Sequence, residues 1–304
     1  MLSYDFMQRA LIAAVLVGIT APAVGIYLVQ RRQALMGDGM GHVALTGVGL
    51  GFFFQTSPVW MAVLVCVLGA VVMELVRSRG NQRGDIALAM LFYGGMACGK
   101  MLVSMSAQAG NGSLESYLWG SILTVAPSDL LTITVLAAVV IAVTIGLRRQ
   151  LFAICQDEEF AKVTGLPVRF LNLLLAVMAA VTVTVAMRVV GLLLVSALMV
   201  VPVVAAQQLT RSFAMTQAAS IGLGITVAVA GVTGSYQADL PSGPTIVLLA
   251  IVVFAVLSAI AAPLARRRHR HRPAVDHGPE VCEVRLPDQQ RGADDSVTSR
   301  GLAQ

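Results

Sequence analysis

Long apolar segments recur along this chain and constrain its fold more than any other feature. The sequence has 304 residues, of which 57% are hydrophobic and only 12% are charged. A water-soluble domain of this size needs a more highly charged surface, whereas runs of about 20 apolar residues fit a helix that crosses the bilayer core. The composition therefore predicts an all-α protein, a polytopic bundle of membrane-spanning helices.

Nine segments have the length and apolar character of membrane crossings. If two weak segments form one broken helix, the chain crosses the membrane eight times instead. The segments cover residues 8–30, 33–54, 58–76, 85–106, 127–147, 169–187, 190–208, 213–235 and 243–264.

The basic side chains predict the orientation of these crossings. Arg and Lys gather in alternate connections, whereas the connections at 55–57, 107–126 and 236–242 contain neither residue. Basic loops remain on the cytosolic side of a membrane. We therefore expect the N-terminus outside the cell and the C-terminus inside.

The composition changes at the end of the last apolar segment. Residues 1–264 form the predicted membrane domain, and residues 265–304 are polar, mixed in charge and expected to be a disordered cytosolic tail. The basic cluster at 266–272 stops transfer through the membrane and contacts anionic lipid. Because the basic residues cluster at helix ends, the net charge of +5 does not indicate nucleic-acid binding.

Asp38 and His42 lie inside the second segment, within the sequence Gly-Asp-Gly-Met-Gly-His. Residues four apart share one helix face, and an ionisable side chain in a spanning helix usually has a function. A carboxylate and an imidazole on one face form half of a transition-metal site. The alternative is a pair that only stabilises a helix contact. The surrounding glycines allow either close helix packing or a break in the helix.

Other polar features of the membrane segments have simpler interpretations. Glu74 precedes Arg77 by three residues, which predicts an ion pair at a helix end. Asp239, in the connection before the last segment, either attracts an incoming cation or is an ordinary solvated loop residue.

Residues 94–100 match the spacing of a phosphate-binding loop, but Met101 stands where that motif needs Ser or Thr, and the segment is apolar. The chain is therefore expected to lack an ATPase site and not to be an enzyme.

The predicted cytosolic connection 148–168 contains the signals of a short helix. Asp157, Glu158 and Glu159 form an acidic helix start, Ala161 follows, and Gly165 before a proline ends the helix. Such a helix either docks a soluble partner or merely connects two spans.

Four stretches in this order resemble the permease subunits of metal-uptake ABC transporters for zinc, manganese and iron, and most of all the ZnuB-like zinc permeases. The first contains the Gly-Asp and His of the second segment. The set is spread over residues 1–264 and comprises 36–44, 117–129, 157–167 and 190–202 with 241–244.

The resemblance implies a multi-pass protein of the bacterial inner (plasma) membrane that works as a homodimer. It implies two partners, an ABC ATP-binding subunit that holds the ATP and an extracellular metal-binding protein that delivers the ion. By the same resemblance, 157–167 is the coupling helix for the ATPase, and Asp38 and His42 lie on the path of the transported divalent metal, with zinc first. No cofactor is expected to be bound permanently.

Two other functions fit the same residues. One is an ABC permease for manganese, iron or an iron chelate, because Asp and His bind all of these metals. The other is a secondary metal-cation transporter driven by an ion gradient, whose broken helices and midplane site have a similar sequence pattern.

Overall fold

The computed structural model describes residues 5–78, 83–106, 116–120, 127–187, 189–192 and 194–269, without the side chains of 83–85, 127–129 and 261–269. These residues form α-helices and turns, and none of them lies in a β-strand. The fold class predicted from composition is thus confirmed for this part of the chain. The helices are α1 Asp5–Gln30, α2 Met36–Phe53, α3 Pro58–Arg77, α4 Arg83–Met105, α5 Pro127–Gly146, α6 Arg148–Gln156, α7 Glu158–Val163, α8 Val168–Ala186, α9 Val195–Leu209, α10 Phe213–Ala238 and α11 Ser242–His269.

Six helices in the described ranges are long and apolar enough to cross a membrane, and a bent pair raises the number to seven. The pair consists of Leu130–Gly146 and Arg148–Gln156, which meet at 68°. The other predicted spans correspond to α2, which carries Asp38 and His42, and to α9, which has only 15 residues. The predicted number of eight or nine crossings is therefore not established, and neither is the orientation.

One compact unit comprises Met1–Pro263, and the chain from Leu264 onward falls into a second unit. The predicted tail lies mostly outside the described residues, which end at His269.

Helix α1 lies at the centre of the bundle, and 72% of its most apolar stretch is buried. Small residues line its contacts with neighbouring helices. A Cβ atom added at Gly18 would lie 2.8 Å from the carbonyl oxygen of Gly224 in α10. Without a hydrophobic driving force between helices in lipid, close packing of this kind holds membrane helices together.

Basic side chains from several elements meet at one end of the bundle, which we call the basic end. Arg77 and Arg169 line one cavity there, and Arg31 forms an ion pair with Glu158, which lines the same cavity. The guanidinium of Arg148 lies 5.9 Å from the ring centre of Phe213 at the start of α10. This clustering agrees with the alternation of basic connections in the sequence.

Two glycines with left-handed backbones meet, Gly120 directly after the short helix at 116–119 and Gly191 in the non-helical backbone before α9. Gly120 has φ 75° and Gly191 has φ 88°, and a Cβ on Gly191 would lie 2.4 Å from the carbonyl carbon of Trp119. The amide of Leu192 donates a hydrogen bond to the carbonyl of Tyr117 at 3.0 Å. The non-helical backbone before α9 is therefore partly hydrogen-bonded inside the protein, which offsets the cost of burying backbone polar groups.

Candidate functional site

Asp38 and His42 lie near the start of α2, on the side of the basic end. Helix α2 has 18 residues, which gives a length of about 27 Å, and His42 lies about 6 Å further along the axis than Asp38. Asp38 is half-buried and accepts a hydrogen bond from the hydroxyl of Ser196, in the first turn of α9. The site is thus formed by two helices that are far apart in sequence.

Helix α2 is continuous through its glycines, so the sequence alternative of a break in this helix is wrong. The glycines instead bring neighbouring elements close. A Cβ on Gly37 would lie 3.2 Å from the Cβ of Ser196, and one on Gly41 would lie 3.2 Å from the carbonyl oxygen of Leu192. The absence of side chains at these two positions allows α9 to approach Asp38.

The imidazole of His42 is almost completely enclosed, with 7% of the residue exposed. The ring of Phe92 in α4 stands edge-on to it with the ring centres 4.1 Å apart. Its Nδ1 atom is buried and has no hydrogen-bond partner in the described part of the chain. Buried polar nitrogens normally have a partner, so this atom has an unused capacity to bind a proton or a metal.

One chain does not complete a metal site in the ranges that the structure describes. No three His, Cys, Asp or Glu side chains gather there in a group able to hold a metal ion. Asp38 and His42 supply two ligands, whereas a tetrahedral zinc site needs four. The remaining ligands would have to come from water, from a hydroxyl such as that of Ser196, or from another molecule.

The predicted helix in the 157–167 connection is present as α7, and its sequence signals have the expected effects. The side chain of Asp157 accepts hydrogen bonds from the amides of Glu159 at 2.9 Å and Phe160 at 3.0 Å, which caps the helix start. Gly165 has φ 80° just after the helix end, a conformation that glycine adopts without steric cost. Ala161 is fully buried and fixes the inner face of the helix.

The outer side of α7 carries two exposed apolar side chains beside the charged side chains of Glu159 and Lys162. Phe160 is 63% exposed and Val163 is 86% exposed. The connection before α7 is not a loop but a second helix, α6, because Leu151 and Ile154 share an apolar face that is buried in the bundle. A helix on a rigid support that presents apolar side chains outward has the form of a docking element.

Arg31 and Asn172 connect α7 to the rest of the basic end. Arg31, in the turn between α1 and α2, donates to the side-chain oxygen of Asn172 in α8 at 2.6 Å and to Glu158 at 2.9 Å. Burial lowers the pKa of the Arg31 guanidinium, and the nearby Arg77 lowers it further. A cavity of about 530 Å³ beside this cluster is lined by side chains from α3, α7 and α8.

The structure also locates the other charged residues that the sequence indicated. Arg77 binds Glu74 through two hydrogen bonds of 2.8 and 2.9 Å, which confirms the predicted helix-end ion pair. Asp239 is exposed and ends α10 with φ 51°. It lies at the opposite end of α10 from Phe213, which packs on Tyr27 near the basic end, so it does not join Asp38 and His42.

Sequence reasoning missed Ser196, Asn172 and the structural role of Arg31. Ser196 and Asn172 are single polar residues in apolar segments, and no local spacing connects them to residues more than 140 positions away. Arg31 had only the signal of a basic residue at a helix end. A polar side chain in an otherwise apolar helix was the available signal for Ser196 and Asn172.

Known proteins of similar sequence include membrane proteins named for metal transport. The chain is 32% identical to a manganese transport system membrane protein of Halalkalibacterium halodurans, over 84% of this chain and 87% of that protein. It is 29% identical to a chelated iron transport system membrane protein of Yersinia pestis, over 84% of this chain and 85% of that one.

The solved structure of PsaBC from Streptococcus pneumoniae in complex with Fab contains a similar chain, with a TM-score of 0.79 and 28% identity. The similarity covers 88% of this chain and 96% of that one.

The resemblance found in four short stretches of sequence is confirmed at the level of the family, whereas a specific likeness to zinc permeases is not shown. The match to the family extends over residues 3–261, almost the whole predicted membrane domain. With its apolar helices and its relatives among membrane transport proteins, the chain is a multi-pass membrane protein, and it belongs to the ABC 3 transport family of transporter permeases.

Proposed function

We propose that this chain is the membrane-spanning permease subunit of an ATP-driven importer of divalent transition-metal ions. The observation that carries the proposal is the Asp38–His42 face of α2, half-buried and buried respectively, with a nitrogen of His42 unpartnered among the described residues. Ionisable side chains are kept inside a membrane bundle mainly where they serve a transport path. Relatives named for manganese transport and for chelated-iron transport support the same class of cargo.

The partners follow from the family and from α7. An ABC ATP-binding subunit would dock on the exposed Phe160 and Val163 and hydrolyse ATP. A metal-binding protein outside the cell would deliver the ion, and Asp239 would attract the cation as it enters. Because Asp38 lies near the basic end, the ion would cross much of the bundle before reaching it.

A second copy of this chain would complete the ion site. Asp38 and His42 from two copies give four ligands, the number that a tetrahedral zinc site requires. The site must bind weakly enough to release the ion with each cycle. Closure driven by ATP, transmitted through α7, would then open the path toward the cytosol.

The transported metal has three candidates, namely zinc, manganese and iron. Iron is suggested by the chelated-iron transport relative. Zinc is suggested by the resemblance to zinc permeases and by a site of imidazole and carboxylate groups. Manganese is suggested by the manganese transport relative and by the Ser196 hydroxyl beside Asp38, because oxygen-rich sites suit manganese.

The test is uptake of radioactive zinc and manganese by cells that carry this permease with its ATP-binding subunit and its binding protein. Asp38→Ala and His42→Ala should abolish uptake while the complex still assembles, because each removes half of the ligands that a chain provides. Ser104→Ala, which changes an exposed hydroxyl on α4, is the control. Unchanged uptake in both site variants would refute the site.

The same cells separate the proposal from a gradient-driven transporter. Cells with an inactivated ATP-binding subunit but normal ion gradients should lose accumulation. Accumulation that persists there and stops when the gradients are dissipated would support the secondary transporter instead.

A further inference from the structure

We infer that Arg31 is a positioning residue that holds α7 in a fixed relation to the start of α2, so that a displacement of α7 reaches Asp38. The inference depends on the proposed docking of the ATP-binding subunit to α7. In this mechanism the turn between α1 and α2 transmits a displacement of α7 to Asp38.

The guanidinium of Arg31 connects three elements of the fold. One of its nitrogens donates to Asn172 in α8 at 2.6 Å, and another donates to Glu158 in α7 at 2.9 Å. Its own backbone belongs to the turn that leads into α2. A planar guanidinium with donors in a fixed fork suits two partners at once, and a lysine ammonium does not reproduce that geometry.

Arg31 depends on these partners because its side chain is only 7% exposed. Asn172 is also buried, with 6% exposure. A buried cation without partners is strongly unfavourable, so loss of this ion pair would cost Arg31 more than Glu158, whose side chain is 39% exposed. When Glu158 moves, the lowest-energy response is therefore a movement of Arg31 with it.

The turn that follows Arg31 is short and held by its own hydrogen bonds. The amide of Gln33 donates to the carbonyl of Leu28 at 2.8 Å, and that of Met36 donates to the carbonyl of Gln33 at 3.0 Å. Arg32 has a left-handed backbone with φ 58°, which is uncommon for a residue with a side chain. The turn has few free torsions, so a displacement of Arg31 is transmitted to α2 and not absorbed.

Asp38 lies in the first helical turn of α2, which begins directly after the connection that contains Arg31. Its carboxylate is held by Ser196 of α9, a helix that packs closely on Gly37. A shift of the start of α2 relative to α9 changes the surroundings of Asp38 directly. Arg31 thus acts on the ion site through the backbone and does not touch the ion.

The experiment uses the complete transporter, reconstituted in lipid nanodiscs and in vesicles. The variants are Arg31→Gln, Arg31→Lys and Glu158→Gln, with Arg32→Gln as the control. Arg32 is exposed, lies in the same turn and makes no side-chain hydrogen bond within the described residues, so its substitution removes the same charge without removing a link. The two readouts are metal ions transported per ATP hydrolysed and the hydrogen exchange of backbone amides in 158–163 and 33–38.

We expect Arg31→Gln to lower the number of ions per ATP about tenfold, within the range observed for residues that couple sites. ATP hydrolysis should change less than about twofold, and amide exchange should rise in both segments together. The number of ions transported per ATP by Arg31→Lys should lie between the values for Arg31→Gln and for the unmodified transporter. Glu158→Gln, a change of the half-exposed partner, should reproduce the loss if Arg31→Gln fails to assemble.

An unchanged ratio of ions to ATP in Arg31→Gln and Glu158→Gln, or an equal loss in Arg32→Gln, would overturn the inference. A failure of the proposed function has a different signature, namely no ATP-dependent metal uptake by the unmodified complex. In that case the amide exchange data still test the role of Arg31, because Arg31→Gln must raise exchange in 158–163 and 33–38 together whatever the transported ion is. Loosening of 158–163 alone would also refute the link.

Discussion

Two adjacent glycines in α4 should respond in opposite ways to the same substitution. Gly95 is buried against α2, and a Cβ there would lie 2.7 Å from both the carbonyl carbon and the carbonyl oxygen of His42 and 2.9 Å from the amide nitrogen of Val43. Gly94 is exposed and has no atom within 4 Å of an added Cβ. Gly95→Ala and Gly94→Ala therefore differ in little except contact with the backbone of the ion site.

The magnitude follows from the geometry. Carbon atoms make favourable contact at about 3.5 Å, so α4 and α2 must separate by roughly 0.8 Å to accept the Gly95→Ala methyl group. Overpacking costs about 1–3 kcal/mol, and contact with three backbone atoms places this case at the upper end. The gain in helix propensity from Gly to Ala, about 1 kcal/mol, is the same at both positions and cancels in the comparison.

The assay is thermal unfolding of the purified transporter together with metal uptake. Gly95→Ala should unfold roughly 6–12 °C below Gly94→Ala, given about 3 kcal/mol of overpacking and about 2–4 °C per kcal/mol for chains of this class. Uptake should also fall in Gly95→Ala alone, because the separation moves Phe92 away from His42. Equal unfolding temperatures for the two variants would refute the close packing of α4 on the backbone of His42.

Three further predictions concern Asp38 and α7. Ser196→Ala should raise the metal concentration that gives half-maximal uptake about tenfold, the usual effect of losing a hydrogen bond to a ligand; an unchanged value would mean that Ser196 does not orient Asp38. Asp157→Ala should destabilise α7 by about 1 kcal/mol and Asp157→Asn much less, measured as amide exchange in 158–163. The Cβ of Gly165→Ala would meet no atom within 4 Å, so its destabilisation of α7 by about 1–2 kcal/mol comes from the left-handed backbone alone. Faster amide exchange in 158–163 detects this destabilisation. Gly146→Ala, whose Cβ also meets no atom within 4 Å, should leave that exchange unchanged.

The sequence predicted what depends on local periodicity. Apolar length located the six described helices that are long and apolar enough to cross a membrane, and the spacing of Asp38 and His42 placed both on one helix face. The acidic start and the glycine stop of α7 acted as expected, because capping and left-handed turns are local effects.

Features that depend on tertiary packing were not predictable. Ser196 meets Asp38 across 158 positions of sequence. The segment predicted to cross at 190–208 begins its helix only at Val195, because Gly191 adopts φ 88° to pass the backbone of Trp119. The role of the α2 glycines was also open in the sequence, since only the position of α9 and α4 shows that they serve close contact.

Helix α6 fixes the angular position of α7, with consequences for changes in chain length. Phe152 packs on Phe213 with the ring centres 4.7 Å apart, and the thiol of Cys155 donates to the carbonyl oxygen of Tyr27 at 3.8 Å, so α6 is attached to the bundle along its length. Each residue of a helix turns the chain by about 100° and advances it by about 1.5 Å. Insertion of one residue into α6 would therefore rotate Phe160 and Val163 away from their outward direction, whereas substitution of an exposed residue would leave it unchanged. This part of the chain should tolerate changes in residue type far better than changes in residue number.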